Sequence, residues 1–415
     1  MSKLNELIKE LCPAGVAYVP LWSVTIWDKK FNAVDRRKQS KVINYNYLLA
    51  ADLFALQVEN GNVFLLSTGE QTGWTTEELA GINICDGEVV TIPWGKSRAV
   101  EDCIKYYKGK FVTADNRIMT SNDLEKLSNK YLYHVIMSSG KLIDSFYRGS
   151  GIMHPDMAKM LDLPIPLPPL PVQREIVRIL DSFTELTAEL TAELTARKKQ
   201  YEHYRETLLL GNRHLRDVKI IDMLCQNITD GPHTTPSLVE KGVPFISVDA
   251  IWDGRIHFEN KRGDISAEFD VECCKKYKPQ KHDVYMVKSG STTGKVAYVD
   301  SDVKFNIWSP LAAMRVNKNN SSRFLFHLLQ TKMVQDQVKA KASHGSQPNL
   351  GMRTLEQFDV SIPPLEEQVH IVALLDRFDS LCYSITIGLP AEIEARKKQY
   401  EYYRDKLLTF PEAKA

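Results

Sequence analysis

The sequence predicts an α+β protein: two similar mixed α/β domains separated by two long helices, which pack as an antiparallel coiled coil about a pseudo-twofold. Three observations predict it. Most of the 415-residue chain repeats itself once; each copy closes on a long helical pattern with one apolar stripe; and the segments between alternate short apolar runs with glycine-rich polar loops. In chain order this divides the molecule into a globular domain at 1–165, a long helix at 166–212, a second globular domain at 213–362 and a distal helix at 363–415.

The repeat is read directly from the residues. Pro168-Pro169-Leu170-x-x-Gln173-x-x-Ile176-Val177-x-x-Leu180-Asp181-x-Phe183 recurs 195 residues later as Pro363-Pro364-Leu365-x-x-Gln368-x-x-Ile371-Val372-x-x-Leu375-Asp376-x-Phe378. Ala196-Arg-Lys-Lys-Gln-Tyr-Glu-His-Tyr-Arg205 recurs at an offset of 199 as Ala395-Arg-Lys-Lys-Gln-Tyr-Glu-Tyr-Tyr-Arg404. Fainter matches reach into the domains: Gly95 with Gly290, Tyr131-Leu-Tyr-His134 with Phe324-Leu-Phe-His327, Gly149-Ser150 with Gly345-Ser346. A period this long is no solenoid unit. It is one domain-plus-helix module used twice. The helical blocks are nearly identical and the domain interiors differ, which marks the helices as shared scaffold and the domains as two distinct readers.

Each helix has a definable start. Pro171 falls in the first turn, where its missing N–H costs nothing, and Glu366 and Glu367 favour the helix dipole in the second copy. The apolar stripe runs Ile176, Leu180, Phe183, Leu186, Leu190, Leu194, Tyr201, Tyr204 and Leu208, a rod of roughly 58 Å. A stripe that long requires a partner, and the distal copy (Ile371, Leu374, Leu375, Phe378, Leu381, Ile385, then Ile393, Tyr400, Tyr403, Leu407) supplies it. Gly388-Leu-Pro390 is expected to break the distal helix. The basic-aromatic run Arg197 to Arg205 reads as a solvated face with tyrosines in the seam, because acidic residues alternate through it.

Thr187-Ala-Glu-Leu190 and Thr191-Ala-Glu-Leu194 are perfect tandem tetrapeptides. Four residues add ~6 Å and a net turn of ~40° to a helix. One base pair adds ~3.4 Å and about 34–36°. A spacer built of such units is a ruler matched to a DNA duplex.

These features together, the doubled P-P-L-x-x-Q-x-x-I-V-x-x-L-D-x-F block, the doubled R-K-K-Q-Y-E-x-Y-R block and the T-A-E-L tandem, resemble the specificity subunit of type I restriction-modification systems, in the subclass with tetrapeptide repeats in the central helix. The resemblance spans essentially the whole chain. It implies two target-recognition domains, each reading half of an asymmetric bipartite site on double-stranded DNA. It implies helices that set the unread spacer and dock two methyltransferase subunits, with two restriction and motor subunits joining them. The complex then acts as an adenine-specific DNA methyltransferase and ATP-dependent endonuclease through those partners. S-adenosylmethionine, ATP and magnesium belong to the partners, and the chain itself has no cofactor or catalytic role.

Within the domains, Ile82 to Ile92 around Asp86-Gly87, and Phe245 to Phe258 around Asp253-Gly254, read as hairpins; Tyr131–Met137 and Phe324–Leu329 read as helices. The polar loops between them are the candidate DNA contacts. In the first domain they carry Gln71, Lys96, Arg98 and Arg148. In the second they carry His233, Thr234, Thr235, Lys288, Ser291, Thr292, Lys295, Gln347 and Asn349. Small hydroxyls and backbone N–H groups suit phosphate, and Lys, Arg, Gln and Asn suit base edges. Asp230-Gly-Pro-His-Thr-Thr-Pro236 resembles a D-G-x-H-x-x-P element of such domains.

Charge is no guide to this. The net charge is +1; residues 15–165 hold 17 basic and 17 acidic side chains, and residues 216–360 hold 20 and 17. The seven cysteines include no C-x-x-C pair and read as reduced thiols of a cytoplasmic protein. There is no signal-peptide pattern and no apolar run of membrane-spanning length. Gly290-Ser-Thr-Thr-Gly-Lys295 fails the P-loop pattern by one residue of spacing and by Val296 in place of the magnesium-binding hydroxyl. Asp230 with His233, and His282 with Asp283, lack further ligands for a metal. No methyltransferase N-P-P-Y/F motif and no G-x-S-x-G elbow occur. The competing readings are a coiled-coil scaffold whose domains bind proteins without reading DNA, and an enzyme built on the Gly290 loop.

Overall fold

The computed structural model describes residues 2–69, 72–114, 117–211, 214–343, 347–383 and 388–413. Its contacts divide the chain into two units, Met1–Glu189 with Glu394–Ala415, and Leu190–Ile393. Chain order therefore cuts the helices off as separate segments, whereas contacts assign each domain the start of its own following helix and the end of the other copy's helix.

The first unit is built on a six-stranded mixed sheet in the order Thr25–Trp27, Ile118–Ser121, Cys85–Thr91, Lys105–Thr113, Val63–Leu66, Trp74–Thr75. Its amphipathic first helix is Ser2–Leu11. Tyr18–Pro20 pairs antiparallel with Pro164–Pro166 and brings the end of the domain back to its beginning, where the long helix starts. The core gathers Leu21, Trp27, Val90, Met119, Leu132 and Val135 with Ile176 and Leu180 of the helix, and with Leu407, Leu408 and Phe410.

The expected hairpin at Asp86-Gly87 is absent. Both residues lie inside the single strand Cys85–Thr91, with Asp86 opposite Lys110 and Gly87 opposite Gly109. At Gly87 a Cβ would sit 2.9 Å from the Tyr45 hydroxyl, a close approach rather than a turn.

The second unit holds two four-stranded sheets. One runs Thr229–Asp230, Leu311–Met314, Val284–Val287, Val296–Tyr298; the other runs Leu238–Val239, Gly263–Ile265, Val243–Ile246, Asn306–Ile307. Arg216–Lys219 pairs with Asp359–Ile362, the same closure as in the first unit. The Asp253-Gly254 hairpin is present, with φ values of 44° and 82° at its two turn residues, the left-handed pair that a tight turn needs. Its strands are Ile251–Trp252 and Arg255–Ile256. Phe245, expected to flank that turn, instead sits in the second sheet opposite Gly263 and Asn306. The helices Asn129–Ser138 and Ser322–Leu329 stand at the predicted positions, each capped by a serine, Ser128 and Ser321.

The central helix is continuous from Leu170 to Leu210. The distal pattern forms two helices, Leu365–Tyr383 and Leu389–Leu407, with a bend at Gly388. Ile385 of the expected stripe lies outside the described residues. In the second unit the two long segments run antiparallel: Phe378 stacks on Tyr204 with ring centres 5.2 Å apart, and further along the distal helix Tyr383 receives Lys198, 4.9 Å from its ring centre. In the first unit Phe183 stacks on Tyr403 at 5.4 Å. The stripe is not evenly buried. Ile176, Leu180, Tyr201 and Leu209 are sealed, Leu186, Leu190 and Leu194 are half-buried, Leu208 is half-buried beside the buried Leu209, and Tyr204 is 38% exposed. In the tandem region threonines bond to their own helix instead, as Thr187 Oγ1 does to the Phe183 carbonyl at 2.8 Å.

Candidate nucleic-acid interface

The repeated blocks become intelligible as locks between domain and helix. Gln173 is buried at the start of the central helix; its Oε1 accepts from the Ser128 N–H at 3.0 Å and its Nε2 donates to the Lys126 and Pro168 carbonyls. Gln368 repeats this, accepting from the Ser321 N–H at 2.8 Å and donating to Asn320 and the Pro363 carbonyl. The serines that cap the two domain helices are thereby fixed to the scaffold.

About two turns further along the helix, the first unit places His134 between Asp181, 3.2 Å from Nε2, and the Tyr400 hydroxyl, 3.3 Å from Nδ1. The second unit places His327 between Asp376 at 3.3 Å and the Tyr201 hydroxyl at 3.3 Å. Each triad thus takes its histidine from a domain, its aspartate from the helix that follows, and its tyrosine from the other copy's helix. Burial lowers both histidine pKa values, against the opposing pull of the aspartates. Burial alone would raise Asp181 and Asp376. The histidine hydrogen bonds together with Lys130 and Arg323, 3.3 and 2.7 Å away, outweigh it and hold both carboxyls below their ordinary range. Both histidines are fully buried, so the triads hold structure.

The polar loops form one cluster in each unit. In the second, Asp230 is buried and ion-paired to Lys276 and to Lys288, 3.1 Å away, which joins the 230–236 loop to the 288–295 loop. Gly231 is required there, since a Cβ would lie 1.9 Å from the Ile307 carbonyl oxygen. Ser289 bridges Asn349, and the Gly290 N–H donates to the Pro348 carbonyl at 3.0 Å, which adds the third loop. His233, 72% exposed, is set by Ser309 at 2.9 Å, and Thr234, Thr235, Ser291, Gln347 and Asn349 are exposed with it; Thr292 is half-buried. Lys288 is mostly buried by its pairing and so acts as a tether. Lys295 is exposed but lies beside Arg205 and Tyr383, towards the helices.

In the first unit Lys96 bridges Met153 through the backbone, the counterpart of the Ser289–Asn349 bridge, and Trp94 packs on His154 with ring centres 4.6 Å apart. Arg98 donates to the Thr68 carbonyl at 3.3 Å and brings in the third loop. Lys96 corrects an expectation: it is 4% exposed, paired to Asp144 and 5.2 Å from the Tyr147 ring centre, because a loop held this close to the sheet buries the side chain that anchors it. Gln71 lies outside the described residues. Arg148 is 67% exposed, 2.9 Å from Asp156.

The sequence reading missed what surrounds Arg148. A cleft of the first unit is lined by Lys29, Lys30, Arg117, Arg148 and His154, with Asp156 as its acidic member. These come from four separated segments, and only the Lys29-Lys30 dipeptide was a local signal. The buried Asp28 beneath Lys29 is pushed up to about 6 by burial, partly opposed by Arg117 and Lys29. A domain with balanced charge therefore still sets Lys29, Lys30, Arg117 and Arg148 in one cleft beside its loop cluster. Among the described residues no group of three or more His, Cys, Asp or Glu could hold a metal ion, and no helix is long and apolar enough to cross a membrane.

Two mixed domains, each fixed to a helix pair and each exposing its own polar loop cluster, define a duplicated recognition protein. The type I restriction modification DNA specificity domain model matches residues 51–197 and 234–395. The chain is 34% identical over 342 residues to a putative type I restriction enzyme specificity subunit of Haemophilus influenzae, covering 78% of this chain and 83% of that one. It is 29% identical to the Escherichia coli type I restriction enzyme EcoR124I/EcoR124II specificity subunit over 99% of this chain and 98% of that one. The crystal structure of the S subunit of a type I restriction-modification system from M. genitalium shares the fold, with a TM-score of 0.53 at 14% identity, covering 95% of this chain and 96% of that one. The chain belongs to the type I restriction-modification specificity subunits, whose role is DNA recognition without catalysis.

Proposed function

We propose that this chain reads an asymmetric bipartite duplex site, with one loop cluster on each half and the helices setting the unread spacer. The helices dock two methyltransferase subunits in the cytoplasm, and two motor-nuclease subunits complete the complex. Adenine methylation and ATP-dependent cleavage belong to those partners, as do S-adenosylmethionine, ATP and magnesium. The observation that carries this reading is the contrast between two nearly identical locks and two dissimilar exposed loop clusters. Arg148 and Lys30 supply phosphate contacts beside the first cluster, and His233, Thr234, Thr235, Ser291, Gln347 and Asn349 supply contacts in the second.

Footprinting the chain with its methyltransferase subunits tests it. The expected result is two protected half-sites separated by an unprotected spacer; a single continuous patch, or none, overturns it. Inserting one further Thr-Ala-Glu-Leu unit after Leu194 should lengthen the accepted spacer by about one base pair, since the helix gains ~6 Å and a net ~40°. Methylome sequencing of cells carrying the insertion reads this directly, and an unchanged motif rejects the ruler.

A further inference from the structure

We propose that the second unit carries an oxyanion site, of a kind that takes a phosphate group, in the cavity beside Arg205. The cavity measures about 330 Å³ and lies among the hairpin tip at Trp252 to Gly254, the Thr293 to Val296 loop, Gln330, Gln335 and the helix residues Arg205, Asp379 and Tyr383.

Arg205 is only 7% exposed, its guanidinium lies 4.4 Å from the Tyr201 ring centre, and its buried Nε has no hydrogen-bond partner among the described residues. Nor does it make an ion pair there, although two carboxylates line the same cavity. Both are committed elsewhere: Asp379 lies 3.0 Å from Arg323 and 3.6 Å from Arg255, and Asp253 lies 2.9 Å from His257. Lys295, which lines the same cavity, is exposed and also without an ion pair among the described residues. A buried cation with an unused donor is costly unless an anion completes it.

The duplication supplies an internal control. Arg404 occupies the equivalent helix position in the first unit, and there the next residue, Asp405, pairs with it at 2.8 Å. In the second unit the corresponding Glu206 is turned away and accepts from the Lys332 N–H at 2.6 Å. The same arginine is neutralised internally in one copy and left open in the other. The open one faces a cavity of small-ligand size that holds a second cation and the flat wall of Trp252, itself stacked on His257 with ring centres 3.3 Å apart. Two cations that line one cavity from separate elements fit a phosphate, either a free anion or a phosphodiester of bound DNA.

Isothermal titration of the full chain with inorganic phosphate, at ionic strength held constant with chloride, tests the site. Saturable binding is expected, weakened about tenfold in Lys295→Ala, retained in Lys295→Arg and untouched by Arg404→Lys. Lys295 is exposed, so this variant leaves the fold intact, and Arg205→Lys adds a second measurement where it folds. A short non-specific duplex that displaces the phosphate identifies DNA as the source; binding that the duplex leaves unchanged identifies a free anion. No saturable heat, or binding that Lys295→Ala leaves at full strength, overturns the proposal.

Discussion

The locks and the loop clusters of this molecule follow opposite rules. At the locks, Gln173 and Gln368 share the bonds to the capping-serine N–H and the preceding proline carbonyl, and Asp181–His134–Tyr400 matches Asp376–His327–Tyr201 to within about 0.1 Å. At the clusters only the backbone plan repeats. One is anchored by buried Lys96 on Asp144, the other by buried Asp230 under Lys276 and Lys288, an inversion of which charge is inside. Side chains that must meet a partner copy of the same helix are held constant, while those that face outward are free to differ as long as the loop is still tied down.

The largest test of that contrast is at the locks. Tyr201 is fully buried, whereas Tyr400 is half-buried. Tyr201→Ala should cost about 3–5 kcal/mol by loss of a large buried side chain, and Tyr400→Ala clearly less. Tyrosine-to-phenylalanine changes at both should cost a similar ~1 kcal/mol, because each removes one hydrogen bond to a buried histidine. Chemical denaturation of the four variants measures this, and unequal phenylalanine costs would break the equivalence of the two triads.

Next comes the anchor of the first cluster. Lys96→Met should destabilise the first unit by roughly 1–3 kcal/mol by leaving Asp144 without its cation and with only the Val100 N–H, a range discounted because Asp144 is partly exposed. Arg148→Ala should leave the melting temperature nearly unchanged. In binding, the order reverses. Arg148→Ala and Lys30→Ala should each weaken DNA binding for all sequences and reduce the salt slope by about 1. A salt titration that shows no change of slope removes the cleft from the interface.

The smallest effect is that of pH. His134 and His327 have folded pKa values below the 6.5 of an exposed histidine, so the unfolded chain binds protons first. Their contribution is present above about pH 6.5 and is lost as pH falls below it towards the folded values. Stability should decline on mild acidification, and Tyr201→Phe should change the size of that decline in the second unit alone.

Much of this was legible in the residues. The doubled blocks gave the modular plan and the helices at Tyr131 and Phe324, and the apolar period picked out the sealed positions Ile176, Leu180 and Tyr201, because helix packing obeys a period that sequence displays. Gly388-Leu-Pro390 announced the break in the distal helix for the same local reason. The three loops of each cluster could be chosen by composition, since glycine and small hydroxyls have few other uses at such spacing.

What lay beyond the sequence was decided by pairing across long separations. Asp86-Gly87 has the composition of a turn, yet it lies in mid-strand because residues 105–113 pair along its whole length and Tyr45 crosses above it. Lys96 looks like a solvent-facing contact until Asp144, 48 residues on, draws it inside. Lys29, Arg117 and Arg148 share a cleft that no linear pattern shows. The sequence by itself determined the repeat, the helices and the class of protein, since those follow from local period and identity. The tertiary structure alone decided which charges are buried as anchors and which remain outside, because burial depends on neighbours that the chain brings from far away.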